Sequence, residues 1–248
     1  MVKFLNLNNL LIIKKKMNQL SNIKLFYDGL DIKNDNLIQG YTTNPSLLKK
    51  HINYNSNSYE KISKLFLEKI DNLPISFEVL SNDNKNMINE AKIISSWGDN
   101  IYIKIPIIDI NGNYNINTIQ SLLNENININ ITCVFTKNQI NMIQKLIIHK
   151  NNKIIISIFS GRIADTGKNP MDLCIYTKQL FQNNNNIEIL WASVREIYNI
   201  FQAIESKCDI ITLPENIYQK LNCIDKNLTE FSKETVQQFI TDGKSLIL

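Results

Sequence analysis

Ile101-Tyr-Ile-Lys-Ile-Pro106 places an isoleucine at each odd position, with Tyr102 and Lys104 between them. A period of two marks a β-strand whose faces meet different surroundings. Short β-rich runs of the same kind occur at 23–28, 38–43, 74–80, 127–135, 153–159, 187–193 and 209–213. Amphipathic helical segments lie between them, at 59–72, 84–97, 138–149, 172–181 and 195–205. Strands alternating with helices predict βαβ units and a parallel sheet. Eight strands in a chain of 248 residues fit a single α/β domain, a (β/α)8 TIM barrel over 21–248, better than an open doubly wound sheet. No GxGxxG follows the first strand, which also speaks against a dinucleotide-binding fold. The polar patch Asn183–Asn186 reads as a solvated loop between a helix and a strand.

Composition narrows the function classes. Hydrophobic residues make up 44% and charged residues 20%, which excludes collagen-like, fully disordered and disulfide-stapled chains. The 27 Lys+Arg against 23 Asp+Glu give a net +4, a mild field suited to phosphorylated small molecules. Without a clustered basic face, nucleic acid is not an expected partner. Cys133, Cys174, Cys208 and Cys223 lack CxxC spacing and read as reduced thiols of a cytoplasmic protein. No stretch approaches the roughly 18 apolar residues of a membrane span. In the first 20 residues the apolar run Leu10–Ile13 precedes Lys14–Lys16, the reverse of a signal peptide. With Met17 as an alternative start, 1–20 reads as a dispensable or upstream-start extension rather than a targeting segment.

In a closed barrel, alternate strand residues face the helices and the lumen. Polar residues gather on one parity: Tyr102 and Lys104; Ser76 and Glu78, with Leu80; Asn128, Asn130 and Thr132; Ser157 with Phe159; Gly40, Thr42 and Asn44; and Asp28 closing the first strand. In the seventh run, Trp191 and Ser193 take that parity against Leu190 and Ala192. Unpaired buried polar groups cost roughly 1–3 kcal/mol each, so such a lumen is better read as an active site than as a core. Lysine in an apolar lumen has its charged form disfavoured, which frees a neutral amine for Schiff-base chemistry with a ketone. Asp28 or Glu78 would then move protons. Arg162, after the sixth strand, and Arg195, at the start of the helix after the seventh, offer phosphate-matching guanidinium groups. Ser193 precedes a helix start with free backbone N–H groups.

Gly40-Tyr-Thr-Thr-Asn-Pro-Ser-Leu47, Phe77-Glu-Val79, Ile103-Lys-Ile-Pro106, Asn130-Ile-Thr132, Ser157-Ile-Phe-Ser-Gly-Arg-Ile163, Ile189-Leu-Trp-Ala-Ser-Val-Arg195 and Asp209-Ile-Ile-Thr-Leu-Pro214 stand in register with the transaldolase and fructose-6-phosphate aldolase family, which the chain resembles from about residue 23 onward. The resemblance implies that Lys104 forms the Schiff base with the donor ketose and that Asp28 takes the C4-hydroxyl proton as C3–C4 breaks. It gives Glu78 and Thr132 the catalytic water. Asn44 and Asn130, assisted by Ser157, bind the dihydroxyacetone portion, and Phe159 shapes the site. Arg162, Ser193 and Arg195 hold the substrate phosphate. Glu78 and Phe159 stand where the fructose-6-phosphate aldolases carry Gln and Tyr, so the resemblance is to the transaldolases, with dihydroxyacetone transferred rather than released. It implies an enzyme of carbohydrate metabolism, acting on sugar phosphates in the manner of the pentose phosphate route, without metal or other cofactor and as a homo-oligomer.

The sequence departs from the family pattern in three places. Asp28 is followed by Gly29 instead of Thr, only a short segment separates it from the second strand, and Ile158 replaces the proline of the Ser-Pro-Phe block. Asp31 is a rival to Asp28, less favoured because it lies beyond Gly29. The run from Gly161 to Lys168 has the wrong glycine spacing for a P-loop. His51 and His149 stand alone, without a second metal ligand. Cys133 faces outward by parity as a small core residue, and Trp191 packs or lines the pocket. The C-terminal segment from Leu228, with Phe231, Val236, Phe239 and Ile240, either covers the barrel or packs on a neighbouring subunit. The competing functions are an aldolase releasing free dihydroxyacetone and a barrel that binds sugar phosphates without turnover.

Overall fold

A computed structural model describes residues 22–33, 36–51, 59–147 and 150–246. The extension 1–20 and His149 lie outside the described residues. Eight parallel strands close into a barrel in chain order: β1 (Lys24–Asp28), β2 (Ile38–Thr42), β3 (Ile75–Glu78), β4 (Ile101–Pro106), β5 (Ile129–Val134), β6 (Ile154–Ile158), β7 (Ile187–Trp191) and β8 (Ile210–Pro214), with β8 pairing back onto β1. The outward face of the sheet is sealed against the helices, as Ile103, Ile105, Ile129, Ile131 and Ile156 show by their complete burial. That apolar sleeve between sheet and helices is the main stabilising layer. Inside the ring lies a second, smaller cluster of Phe26, Tyr102, Ile155, Leu190, Ala192 and Ile210.

The helices fill the spaces between strands. They are α1 (Pro45–His51) and α2 (Tyr59–Leu67) after β2, α3 (Asn84–Ser95), α4 (Ile116–Asn124), α5 (Lys137–Ile147), α6 (Ser160–Ala164) and α7 (Met171–Leu180) after β6, α8 (Tyr198–Glu205), α9 (Glu215–Tyr218) and the C-terminal α10 (Leu228–Gly243). The helix expected over 59–72 stops at Leu67, and Asp71 and Asn72 turn the chain with positive φ of 44° and 59°. The helix expected from Arg195 starts at Tyr198, because the Asn199 side chain accepts from the amides of Arg195 and Glu196 and holds them in a turn. Asn186, read as part of a solvated loop, is half-buried and donates to the carbonyls of Lys150 and Asn152.

β1 passes into β2 through residues 29–37 with no helical turn among the described ones. Side chains brace this seam instead. Tyr27 donates to Glu215 at 2.7 Å, and Lys33 pairs with Glu215 at 2.6 Å while lying over the rings of Tyr27 and Tyr218. Burial and the Glu215 carboxylate push the Tyr27 phenol well above its ordinary range.

No described residue of α10 is buried, and Phe231, Val236, Phe239 and Ile240 stand exposed along it. The helix therefore does not cover this chain's own barrel core. No described helix is long and apolar enough to cross a membrane.

Candidate active site

Register and twist bring the polar strand ends to one mouth of the barrel, the end that carries catalysis in this architecture. β3 and β4 pair Glu78 with Lys104, β4 and β5 pair Lys104 with Asn130, and β1 and β2 pair Asp28 with Thr42. Between these ends opens a cavity of about 480 Å³, lined by Asp28, Thr42, Asn44, Glu78, Lys104, Cys133, Ser157, Phe159, Arg162, Ser193, Arg195 and Thr212, among others.

Lys104 is 6% exposed. Its ammonium donates to the Thr43 carbonyl at 2.8 Å and lies 3.2 Å from Glu78 Oε2. The apolar surroundings expected of it occur only lower in the lumen; around the amine the ring is polar. Asp28 accepts from Thr42 Oγ1 at 2.7 Å, and the Thr42 hydroxyl also meets Thr212 Oγ1 at 2.6 Å. Burial raises the Asp28 carboxyl above its ordinary range, while Lys104 and the Thr42 hydroxyl pull it down. Asp31 accepts from the outward-facing Tyr27 and does not line the cavity.

Asn44 works as a helix cap as well as a wall. Its Oδ1 accepts from Leu47 N at 3.0 Å at the start of α1, with Pro45 in the first helical position. That capping fixes the side chain at the rim, and the amide nitrogen remains as a donor.

Asn130 and Thr132 are fully buried and do not line the cavity. Asn130 donates to Ser76 Oγ at 2.9 Å and accepts from Ser157 Oγ at 2.7 Å, so it supports Ser157 from beneath. Among the described residues the Thr132 hydroxyl has no oxygen or nitrogen partner, and its polar neighbour is the Cys133 thiol. A buried hydroxyl without such a partner is an unusual expense for a core, and a bound water would satisfy it.

Two parity readings are corrected by left-handed backbone. Cys133 adopts φ 58° beside a register break between β5 and β6, and this turns it from the outer core to the cavity wall. Burial, and then Glu78, raise its thiol above the ordinary range, which disfavours the thiolate. At the end of β7 the inward residues are Leu190 and Ala192, whereas Trp191 is wholly buried on the helix side and does not line this cavity. Ser193 reaches the cavity because its own φ of 63° breaks the strand period. Leu80, beyond the end of β3, is exposed.

The arginines stand at the open side. Arg162 lies with its guanidinium 5.5 Å from the centre of the Phe159 ring, and Phe159 leans on Phe135. Arg195 pairs with Asp165 at 2.6 Å. The loops that carry them are locked where Gly161 meets Ser193: a Cβ on Gly161 would fall 1.6 Å from the Ser193 carbonyl oxygen, so only glycine fits. Of the run from Gly161 to Lys168, Gly161 lies inside α6 and serves this packing. His51 ends α1. Among the described residues no group of three or more His, Cys, Asp or Glu side chains is placed to hold a metal ion.

Solved structures share the architecture at low identity. A tryptophan synthase α-subunit mutant from Pyrococcus furiosus matches with TM-score 0.52 and 11% identity, covering 89% of this chain and 98% of that one. Orotidine 5'-monophosphate decarboxylase from Sulfolobus solfataricus matches with TM-score 0.51 and 13% identity, covering 82% and 97%. These likenesses concern the fold alone. Sequence relatives go further. A probable transaldolase from Thermoplasma volcanium is 33% identical over 231 residues, covering 92% of this chain and 97% of the relative. One from Nitrosopumilus maritimus is 33% identical over 207 residues, covering 80% and 87%. The sequence model of the transaldolase/fructose-6-phosphate aldolase family matches residues 18–247. With that match over a barrel whose mouth holds a buried lysine between carboxylates, the chain belongs to the transaldolase/fructose-6-phosphate aldolase family and is an enzyme of the transaldolase or class I aldolase kind.

Proposed function

We propose that this enzyme transfers a dihydroxyacetone unit between sugar phosphates through a Schiff base on Lys104. The observation that carries the proposal is the buried Lys104 amine at the cavity floor, 3.2 Å from Glu78 Oε2, with the Asp28 carboxyl lining the same cavity. Glu78 can accept a proton from the ammonium, and the free amine then attacks the donor's C2 carbonyl. Loss of water from the carbinolamine gives the protonated imine. Asp28 takes the C4-hydroxyl proton, the C3–C4 bond breaks toward the imine, and an aldose phosphate leaves. The enamine that remains on Lys104 adds to an acceptor aldehyde, and water releases the product. Glu78 and the buried Thr132 hydroxyl are the groups we assign to that water. The amine, the carboxylates and water complete the cycle, so the proposal needs no metal or organic cofactor.

Asn44 and Ser157, the latter backed by Asn130, bind the dihydroxyacetone hydroxyls. Arg162, Ser193 and Arg195 bind the phosphate. Phe159 brings no hydroxyl to orient water at the intermediate, which favours transfer over release of free dihydroxyacetone. The exposed apolar residues of α10 support a homo-oligomer in which this helix packs on another copy. We assign the activity to the cytoplasm and to pentose phosphate interconversion.

Incubation with fructose 6-phosphate followed by borohydride should leave a mass adduct on Lys104 that is absent from Lys104→Arg. Absence of any adduct in the unaltered protein refutes the Schiff base and favours a sugar-phosphate-binding barrel. Product that forms without an aldose phosphate acceptor turns the assignment to aldolase.

A further inference from the structure

Arg195, one of the three residues assigned to the substrate phosphate, is already held by a carboxylate. Asp165 accepts from Arg195 Nη2 at 2.6 Å, and both side chains are about half exposed, at 51% and 50%. An exposed pair of this kind adds little to stability. Its placement matters more. Asp165 ends α6, its amide bonded to the Gly161 carbonyl at 2.9 Å, and α6 is also the helix that carries Arg162. The same helix is pinned to the loop after β7 where Gly161 meets Ser193. One short helix therefore sets both arginines, Arg162 as its own residue and Arg195 through the Asp165 carboxylate. A guanidinium offers five N–H donors in a rigid plane, and Asp165 engages one nitrogen, which leaves most of them for a phosphate.

We propose that Asp165 is a positioning residue that orients Arg195 for the phosphate of the sugar substrate. This inference rests on the assignment of the cavity to sugar phosphates. It is tested in the full chain with Asp165→Ala and Asp165→Asn. In Asp165→Ala the KM for fructose 6-phosphate should rise about 5- to 20-fold with kcat little changed, as expected for loss of ground-state phosphate binding. The KM for unphosphorylated glyceraldehyde as acceptor should stay unchanged. Asp165→Asn keeps an accepting oxygen and should recover most of the loss. Calorimetric titration with inorganic phosphate gives a readout that needs no lysine chemistry, and affinity should fall in Asp165→Ala. A failed borohydride adduct together with this fall would refute the Schiff base and leave the role of Asp165 standing. Unchanged phosphate affinity, tighter binding, or equal KM changes for phosphorylated and unphosphorylated substrates would overturn it.

Discussion

Replacing Thr42 by Val removes one hydroxyl and almost no volume from the floor of the cavity. Thr42 Oγ1 donates to Asp28 Oδ1 at 2.7 Å, and this bond opposes the burial that raises the Asp28 carboxyl. A hydrogen bond to a charged group is worth about 1.5–3 kcal/mol. At 1.36 kcal/mol per pKa unit, its loss should raise the Asp28 pKa by about one to two units. Asp28 acts in its ionised form in the proposed cycle, so the acidic limb of kcat/KM against pH should move upward by about that amount. The assay is the pH profile of kcat/KM for fructose 6-phosphate with a saturating aldose phosphate acceptor, in Thr42→Val and in Thr42→Ser, which keeps the hydroxyl. An unmoved acidic limb in Thr42→Val, or an equal shift in Thr42→Ser, would refute the coupling of Thr42 to Asp28.

Gly161→Ala must displace the Ser193 backbone, because the new Cβ would fall 1.6 Å from its carbonyl oxygen. Overpacking of this kind costs about 1–3 kcal/mol, at about 2–4 °C of Tm per kcal/mol for a domain of this size. A Tm lowered accordingly in a thermal melt, with a raised KM for fructose 6-phosphate, is the expected outcome. Asp28→Asn should abolish turnover yet raise Tm at pH 7–8. The Asp28 pKa is higher in the folded chain than its ordinary 3.8, so its contribution to stability is present at acid pH and lost as pH rises through the folded value. The Tm difference between the two proteins should therefore shrink as pH falls toward 4, which melts across pH check. Phe159→Tyr should gain acceptor-free cleavage of fructose 6-phosphate, measured as free dihydroxyacetone; no gain would count against the role given to Phe159.

Period-two alternation carries the barrel, because the outward isoleucines of β4, β5 and β6 meet a continuous apolar sleeve and the inward polar residues do not. Lys104, Glu78 and Asp28 can be grouped from strand order alone. Alternation fails where the backbone leaves the extended region. Cys133 and Ser193 are non-glycine residues with positive φ, and no alternation rule anticipates such a residue. Keeping phase with Ser193 puts Trp191 inward, but the left-handed backbone of Ser193 has already broken that phase. Thr42 falls on the lumen parity, but its bond to Asp28 and its contact with Thr212 are not legible, because a threonine on a strand is ordinary until its partner is seen. Asn-Pro at 44–45 carries a cap signal that alternation does not use, since an N-cap followed by proline at the first helical position is the expected start of a short helix.

The seam between β1 and β8 bears on how the enzyme comes into being. Asp28 belongs to the first strand of the barrel, yet its register partner Pro214 belongs to the last, as does Thr212, whose hydroxyl meets the Thr42 hydroxyl that donates to Asp28. Lys33 and Tyr27 likewise wait for Glu215 and Tyr218. A chain folding from its first strand can assemble β1 to β7, but the seam that closes the ring beside Asp28 forms only with the final strand. Closure of the mouth beside Asp28 thus depends on the last strand of the barrel.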